Sequence, residues 1–141
     1  NLLGEGGKME SIYNKMDKQL IFKIDEDIDE CCVQKIRRRL DNEIERYMPK
    51  ETIFDFSRVT FMDSAGIGLL IGRYKLINMI GGNVKIANIN TSVRKIFEMS
   101  GILRIMPEVK NKNIQKMHQR GPSPLVLYSN NILLYFLNGL S

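Results

Sequence analysis

Residues 52–82 read TIFDFSRVTFMDSAGIGLLIGRYKLINMIGG, and the change of rhythm inside this stretch decides the fold. Its first half, TIFDFSRVTF (52–61), is rich in β-branched and aromatic residues and predicts a strand. After Asp63 the period lengthens. Ile67, Leu70, Ile71, Tyr74, Ile77, Met79 and Ile80 trace one helical face, and Gly81-Gly82 predicts its end. A strand that passes through a polar turn into a helix is the repeating unit of an α/β sheet.

The same alternation extends outward in both directions. Upstream, SIYNKMDKQLIFKI predicts two short strands about a turn at Met16-Asp17, the second over residues 19–24. An acidic loop DEDIDE (25–30) follows, then CCVQKIRRRLDNEIERYM (31–48). In that segment Val33, Ile36, Leu40, Ile44 and Tyr47 recur at helical spacing. Asp29 is placed to cap this helix, Glu30 to complement its dipole and Pro49 to stop it. Downstream, NVKIANI (83–89) predicts a strand and TSVRKIFEMSG a short helix. The short helix points Val93, Ile96 and Phe97 inward, with Asn90 or Thr91 as cap. ILRIMPEV (102–109) predicts a last strand. An opening hairpin joined to such units makes the sheet mixed.

The totals suit one domain. The chain has 141 residues, 43% apolar and 26% charged, which allows a single hydrophobic core. The net charge of +5 permits acidic partners, yet the basic residues are scattered among acids. The densest run, Arg37-Arg38-Arg39, reads as a solvated helix face, and no helix concentrates base-reading residues. No nucleic acid is therefore expected as a partner. Cys31 and Cys32 are adjacent, which disfavours a bridge between them. No metal-ligand spacing is present, and neither metal nor cofactor is expected. A reducing cytoplasm fits this cysteine usage.

Both ends read as foreign to the domain. NLLGEGGK (1–8) precedes Met9, and Gly-Glu-Gly upstream of a Met can encode a ribosome-binding sequence, so residues 1–8 are expected to be leader. Residues 119–141 hold Pro122, Pro124 and an apolar run broken by Asn130-Asn131, too mixed for a membrane span. They are expected to be a poorly ordered tail or a reading-frame artefact, ahead of a final strand, a helix or a partner-binding segment. The domain itself is expected over residues 9–118.

The turn MDSAG is where chemistry gathers. Asp63 is a good N-cap, and Ser64 falls in the first helical turn, where amides lie unpaired and the helix end is positive. A phosphate there would add about −1.5 to −2 charges without refolding the domain. By spacing alone, Ser64 reads foremost as an ordinary polar residue of a first turn, and the functional reading needs the resemblance described below. Gly66, Gly68 and Gly72 weaken the helix and want reasons: close packing on the sheet for Gly72, close approach of a partner for Gly66 and Gly68. A serine hydrolase needs a base aimed at Ser64, but the one histidine is His118 in the doubtful tail, and G-x-S-x-G is absent. GIGLLIG misses the dinucleotide fingerprint by one residue. No enzyme is expected.

The run FSRVTFMDSAGIGLLIGRYKLINMIGGNVKIANINTSVRKIFEMSGILRIM (56–106) resembles the anti-sigma factor antagonists of the STAS family, most closely the sporulation members that counter the anti-sigma-F factor. The shared features are an ordered series: FMDSAGIG, GRYK, the double glycine and VRKIFEMSGI. The resemblance continues more weakly back to about Met9. It implies an α/β fold with a mixed sheet of four to five strands and helices mainly on one face. It implies an anti-anti-sigma factor that binds an anti-sigma serine kinase, frees the sigma factor, and is switched off by phosphorylation of the serine after the motif aspartate, Ser64. A PP2C-type phosphatase would restore it. Asp27, Asp29, Asp63, Ala65, Gly66 and Gly68 would form the partner surface with Ser64 in a cytoplasmic, membrane-free monomer. General-stress partner switching or a signalling scaffold is the alternative role, since the same fold serves those proteins too. The sequence departs from the pattern at Glu26, where glycine is usual, at Glu30-Cys31-Cys32, and at Ala65, which removes a second phosphoacceptor.

Overall fold

The computed structural model describes residues 8–109. The expectations for residues 1–7, for 110–118 within the domain, for the 119–141 tail and for His118 lie outside the described residues. The elements are β1 (Met9–Asn14), β2 (Gln19–Ile24), α1 (Val33–Tyr47), β3 (Glu51–Asp55), α2 (Ser64–Met79), β4 (Asn83–Ala87), α3 (Thr91–Ser100) and β5 (Glu108–Val109). The five strands lie in the order β1-β2-β3-β4-β5. β1 runs antiparallel to β2, and β2, β3, β4 and β5 pair in parallel. The sheet is mixed, as the hairpin and the alternation require.

Local chemistry sets the turns. Asn14 is buried, and its side-chain oxygen accepts from the amides of Met16 and Asp17, folding the hairpin tip back onto β2. Parallel strands need crossovers, and each helix supplies one. α1 ends at Met48, which takes the left-handed conformation (φ 45°) just before Pro49. α2 ends where the Gly82 amide reaches the Ile77 carbonyl at 2.9 Å, with Gly81 left-handed.

The core lies on one sheet face. Leu20, Phe22, Ile24, Phe54, Val84 and Ile86 alternate toward it and form one cluster with Val33, Ile36, Leu40 and Ile44 of α1, Ile67, Leu69, Leu70 and Ile77 of α2, and Val93 and Phe97 of α3. Phe22, Phe54 and Phe56 stack in sequence, and Phe97 closes the row edge-on to Phe56. α2 touches α1, α3 and β4, so it buries more than one stripe. Between α1 and α2, Arg73 Nε approaches Asp41 Oδ1 to 2.9 Å as an ion pair that is not aligned as a hydrogen bond. Burial lowers the affinity of the Arg73 guanidinium for its proton, and Asp41 opposes that effect.

Four expectations need correction. The strand read over 52–61 stops at Asp55, because the Asp55 carboxylate accepts from the Ser57 amide at 2.9 Å and from the Asn88 side chain at 3.0 Å, turning the chain. Residues 102–104 form a 3-10 turn rather than the start of a strand, because Gly101 enters it left-handed (φ 74°). Only Glu108-Val109 pair with β4, and Arg94 of α3 holds Glu108 through two 2.8 Å contacts. Met79, expected inside, is 82% exposed. Gly72 does not pack closely: a methyl added there would meet nothing within 4 Å.

Candidate functional site

Two loops meet beyond the carboxyl ends of β2 and β3. Residues 25–32 follow β2, and residues 56–63 follow β3. An isolated parallel bridge joins Ile28 to Met62. The Ile28 amide donates to the Phe61 carbonyl (3.2 Å), and the Asp63 amide donates to the Ile28 carbonyl (3.3 Å). Ile28 and Met62 point into the core, so the bridge is anchored from below.

Asp27 fastens the same junction from above. Its carboxylate accepts from the Thr60 amide (2.8 Å), the Phe61 amide (3.0 Å) and the Thr60 hydroxyl (3.0 and 3.1 Å). Partial burial opposes its ionisation, but these donors outweigh it and hold the Asp27 carboxyl below the usual carboxylate range. Asp29 shapes the other end of the loop. Its Oδ1 accepts from the amides of Cys31 (2.9 Å) and Cys32 (3.2 Å). The cap expected at Asp29 thus forms on a turn that precedes α1, and the helix itself begins at Val33. The Cys32 thiol donates to the Asp27 carbonyl at 3.0 Å, and burial pushes its pKa up. Cys31 is exposed. Asp25 pairs with Arg58 at 3.2 Å, a solvent-exposed contact worth little.

Helix α2 starts at this junction. Asp63 is its N-cap, extended in backbone, and its Oδ1 accepts from the Ala65 amide at 2.8 Å. Ser64 is the first helical residue and is exposed. Among the described residues its hydroxyl has no hydrogen-bond partner, so it stands open to solvent beside a positive helix end. Ala65 is half-buried and Gly68 exposed on the same turns. The surroundings are acidic: Asp27, Asp29 and Asp63 are all half-buried in the rim around Ser64. Among the described residues, no group of His, Cys, Asp and Glu could hold a metal ion.

The structure thus brings Asp27, Asp29, Asp63, Ser64 and Ala65 to one end of the domain. It gives Gly66 a reason other than a partner's approach. Gly66 is buried, and a methyl there would collide with the Met62 side chain and press on Ile28 Cγ2 at 3.2 Å. Gly68 has open space instead. Sequence reasoning missed Thr60 and Phe61. Thr60 supplies the hydroxyl that Asp27 binds, and Phe61 is 52% exposed beside the site. Within an apolar run, nothing local marks Phe61 as facing out.

Comparison with known proteins gives concordant results. The STAS domain family profile matches residues 11–118. An anti-sigma F factor antagonist from Paenibacillus polymyxa is 33% identical over 93 residues, 66% of this chain and 80% of that protein. An anti-sigma-B factor antagonist from Bacillus subtilis is 31% identical over 48 residues, 34% of this chain and 44% of that one. The solved structure of an anti-sigma factor antagonist in its unphosphorylated form superposes with a TM-score of 0.63 at 24% identity, covering 81% of this chain and 96% of that chain. Among the described residues no helix is long and apolar enough to cross a membrane.

Proposed function

The chain belongs to the STAS domain family, and from that membership we propose that it is an anti-anti-sigma factor whose docking is switched at Ser64. In its unmodified form it binds a cytoplasmic anti-sigma factor that is also a serine kinase, and so releases the sigma factor. The observation that carries this reading is the exposed, unbonded Ser64 hydroxyl placed directly after the Asp63 cap at the start of α2. The relatives named as anti-sigma factor antagonists support the partner class.

The chain acts as substrate, not catalyst. Ser64 Oγ attacks the γ-phosphorus of ATP held by the kinase. The Oγ–P bond forms, the bond to the β-bridging oxygen breaks, ADP leaves, and the hydroxyl proton passes to a base of the kinase. Preorganisation comes from this chain: α2 places Ser64 in its exposed first turn, and the Asp63 cap holds that turn. The product is a dianion added to a rim already acidic with Asp27, Asp29 and Asp63. Docking weakens through local repulsion, and no refolding is needed. A PP2C-type phosphatase reverses the step by hydrolysis.

The relative that antagonises an anti-sigma-B factor supports a second reading, the same switch serving a general-stress partner. The test is to incubate the chain with candidate anti-sigma kinases and ATP and to locate the phosphate by mass spectrometry. Phosphate on Ser64 alone is expected, and the identity of the competent kinase separates the two readings. Phosphate elsewhere, or none with any candidate, overturns the switch.

A further inference from the structure

Four phenylalanines of the domain, Phe22, Phe54, Phe56 and Phe97, are fully buried, whereas Phe61 is 52% exposed. The exposure is fixed by the backbone. The Phe61 amide donates to Asp27 Oδ1 at 3.0 Å, and its carbonyl accepts from the Ile28 amide at 3.2 Å. Met62, the next residue, is buried in the bridge to Ile28, so alternation along the chain turns Phe61 outward. Turning it inward would break both bonds and expel Met62. An aromatic ring held in water by a rigid backbone is preorganised for contact and loses little freedom on binding. Its position is two residues before the Asp63 cap and three before Ser64.

We propose that Phe61 is the apolar anchor by which the serine kinase partner is held, inserting into an apolar socket on the kinase beside the site that presents the phosphoryl donor. This rests on the reading of Ser64 given above. Continuity with Ser64 specifies the occupant: Phe61 stands exposed three residues before Ser64 on the same rigid junction, so the protein that takes hold of the Ser64 hydroxyl is the one that meets the ring. Labour is then divided on one surface. Phe61 supplies affinity in both chemical states of the chain, and the charge at Ser64 decides whether that affinity suffices.

The experiment compares wild type, Phe61→Ala and Phe61→Leu against the purified kinase that phosphorylates the wild-type chain. Binding is measured calorimetrically and phosphoryl transfer by steady-state kinetics. Phe61→Ala is expected to weaken binding about tenfold or more, the scale of an interface hot spot. KM should rise by a similar factor with kcat within about twofold, because the ring touches no reacting atom. Phe61→Leu should recover part of the loss, and thermal melting of both variants should match wild type. Binding by Phe61→Ala within about twofold of wild type overturns the anchor while leaving the Ser64 switch standing. A fall in kcat without a change in KM, or loss only of self-association between copies of the chain, also overturns it. If the wild-type chain is neither bound nor phosphorylated by any anti-sigma kinase, the reading of Ser64 fails and the anchor falls with it.

Discussion

Asp27 and Thr60, on loops that follow different strands, are joined through both the amide and the hydroxyl of Thr60, with the shortest contact 2.8 Å. The bridge between Ile28 and Met62 lies directly alongside. Together these contacts make the surface around Ser64 a single unit built from two distant parts of the sequence.

Asp27→Asn should therefore loosen that unit. Hydrogen bonds to a charged acceptor contribute about 1.5–3 kcal/mol when protected, and partial exposure reduces this to about 1–2 kcal/mol here. The sign with pH follows from the depressed pKa. The ionised Asp27 stabilises the fold fully above the unfolded carboxylate value of about 3.9, and this contribution is lost as pH falls through the lower folded value. Urea unfolding at pH 7 should show the variant to be weaker, and the gap should narrow toward pH 3. A gap independent of pH would refute the ionic part of the clamp.

At Ser64 the expected outcomes are opposite for two small changes. Ser64→Asp should weaken binding to the anti-sigma partner by about a hundredfold, corresponding to about 3 kcal/mol of charge coupling at an interface. Ser64→Ala should bind as wild type and accept no phosphate. Wild-type affinity in the aspartate variant, measured by calorimetry, would contradict an electrostatic switch.

The three glycines of α2 should separate by environment. Gly66→Ala forces Met62 and Ile28 aside in the core and should destabilise by about 1–3 kcal/mol. Gly68→Ala and Gly72→Ala meet open space inside a helix and should each stabilise by about 0.5–1 kcal/mol. Thermal denaturation of the three variants decides this. If Gly68 lies in the partner surface, its alanine variant will melt later and yet bind less well.

Removing Asp41 should cost more than removing both ends of its pair. Asp41→Ala leaves Arg73, whose side chain is 12% exposed, facing Arg37 without its counter-charge. A loss of about 2–3 kcal/mol is expected, less than the roughly 3–5 kcal/mol of a fully buried pair because the Asp41 side chain is 29% exposed. Asp41→Leu with Arg73→Leu should recover most of it, as a double-mutant denaturation cycle would reveal.

Most of the architecture was legible because it rests on period and punctuation. Val33, Ile36, Leu40 and Ile44 announced α1, Gly81-Gly82 announced the end of α2, and Asn90 proved to be the cap of α3, accepting from the Val93 amide at 2.9 Å. The misreadings arose where a distant partner overrides a local preference. Asp55 ends β3 by binding Ser57 and Asn88, and the second of these lies 33 positions away. Ile102 and Met106 are buried as a strand pattern would have them, but a left-handed Gly101 winds them into a tight turn. At the site, Ser64 and its cap were readable from four adjacent letters. The Asp27 clamp and the outward Phe61 were not, because both depend on loops 25–32 and 56–63 meeting in space.

The Ile28–Met62 bridge has a consequence for any enzyme that modifies this serine. The epitope around Ser64 is discontinuous, drawn from two stretches that coincide only after folding. A synthetic peptide copying the serine and its sequence neighbours would carry the nucleophile without its landscape. A transferase acting on this serine as proposed would read a shape rather than a consensus and would pass over an unfolded copy of the chain.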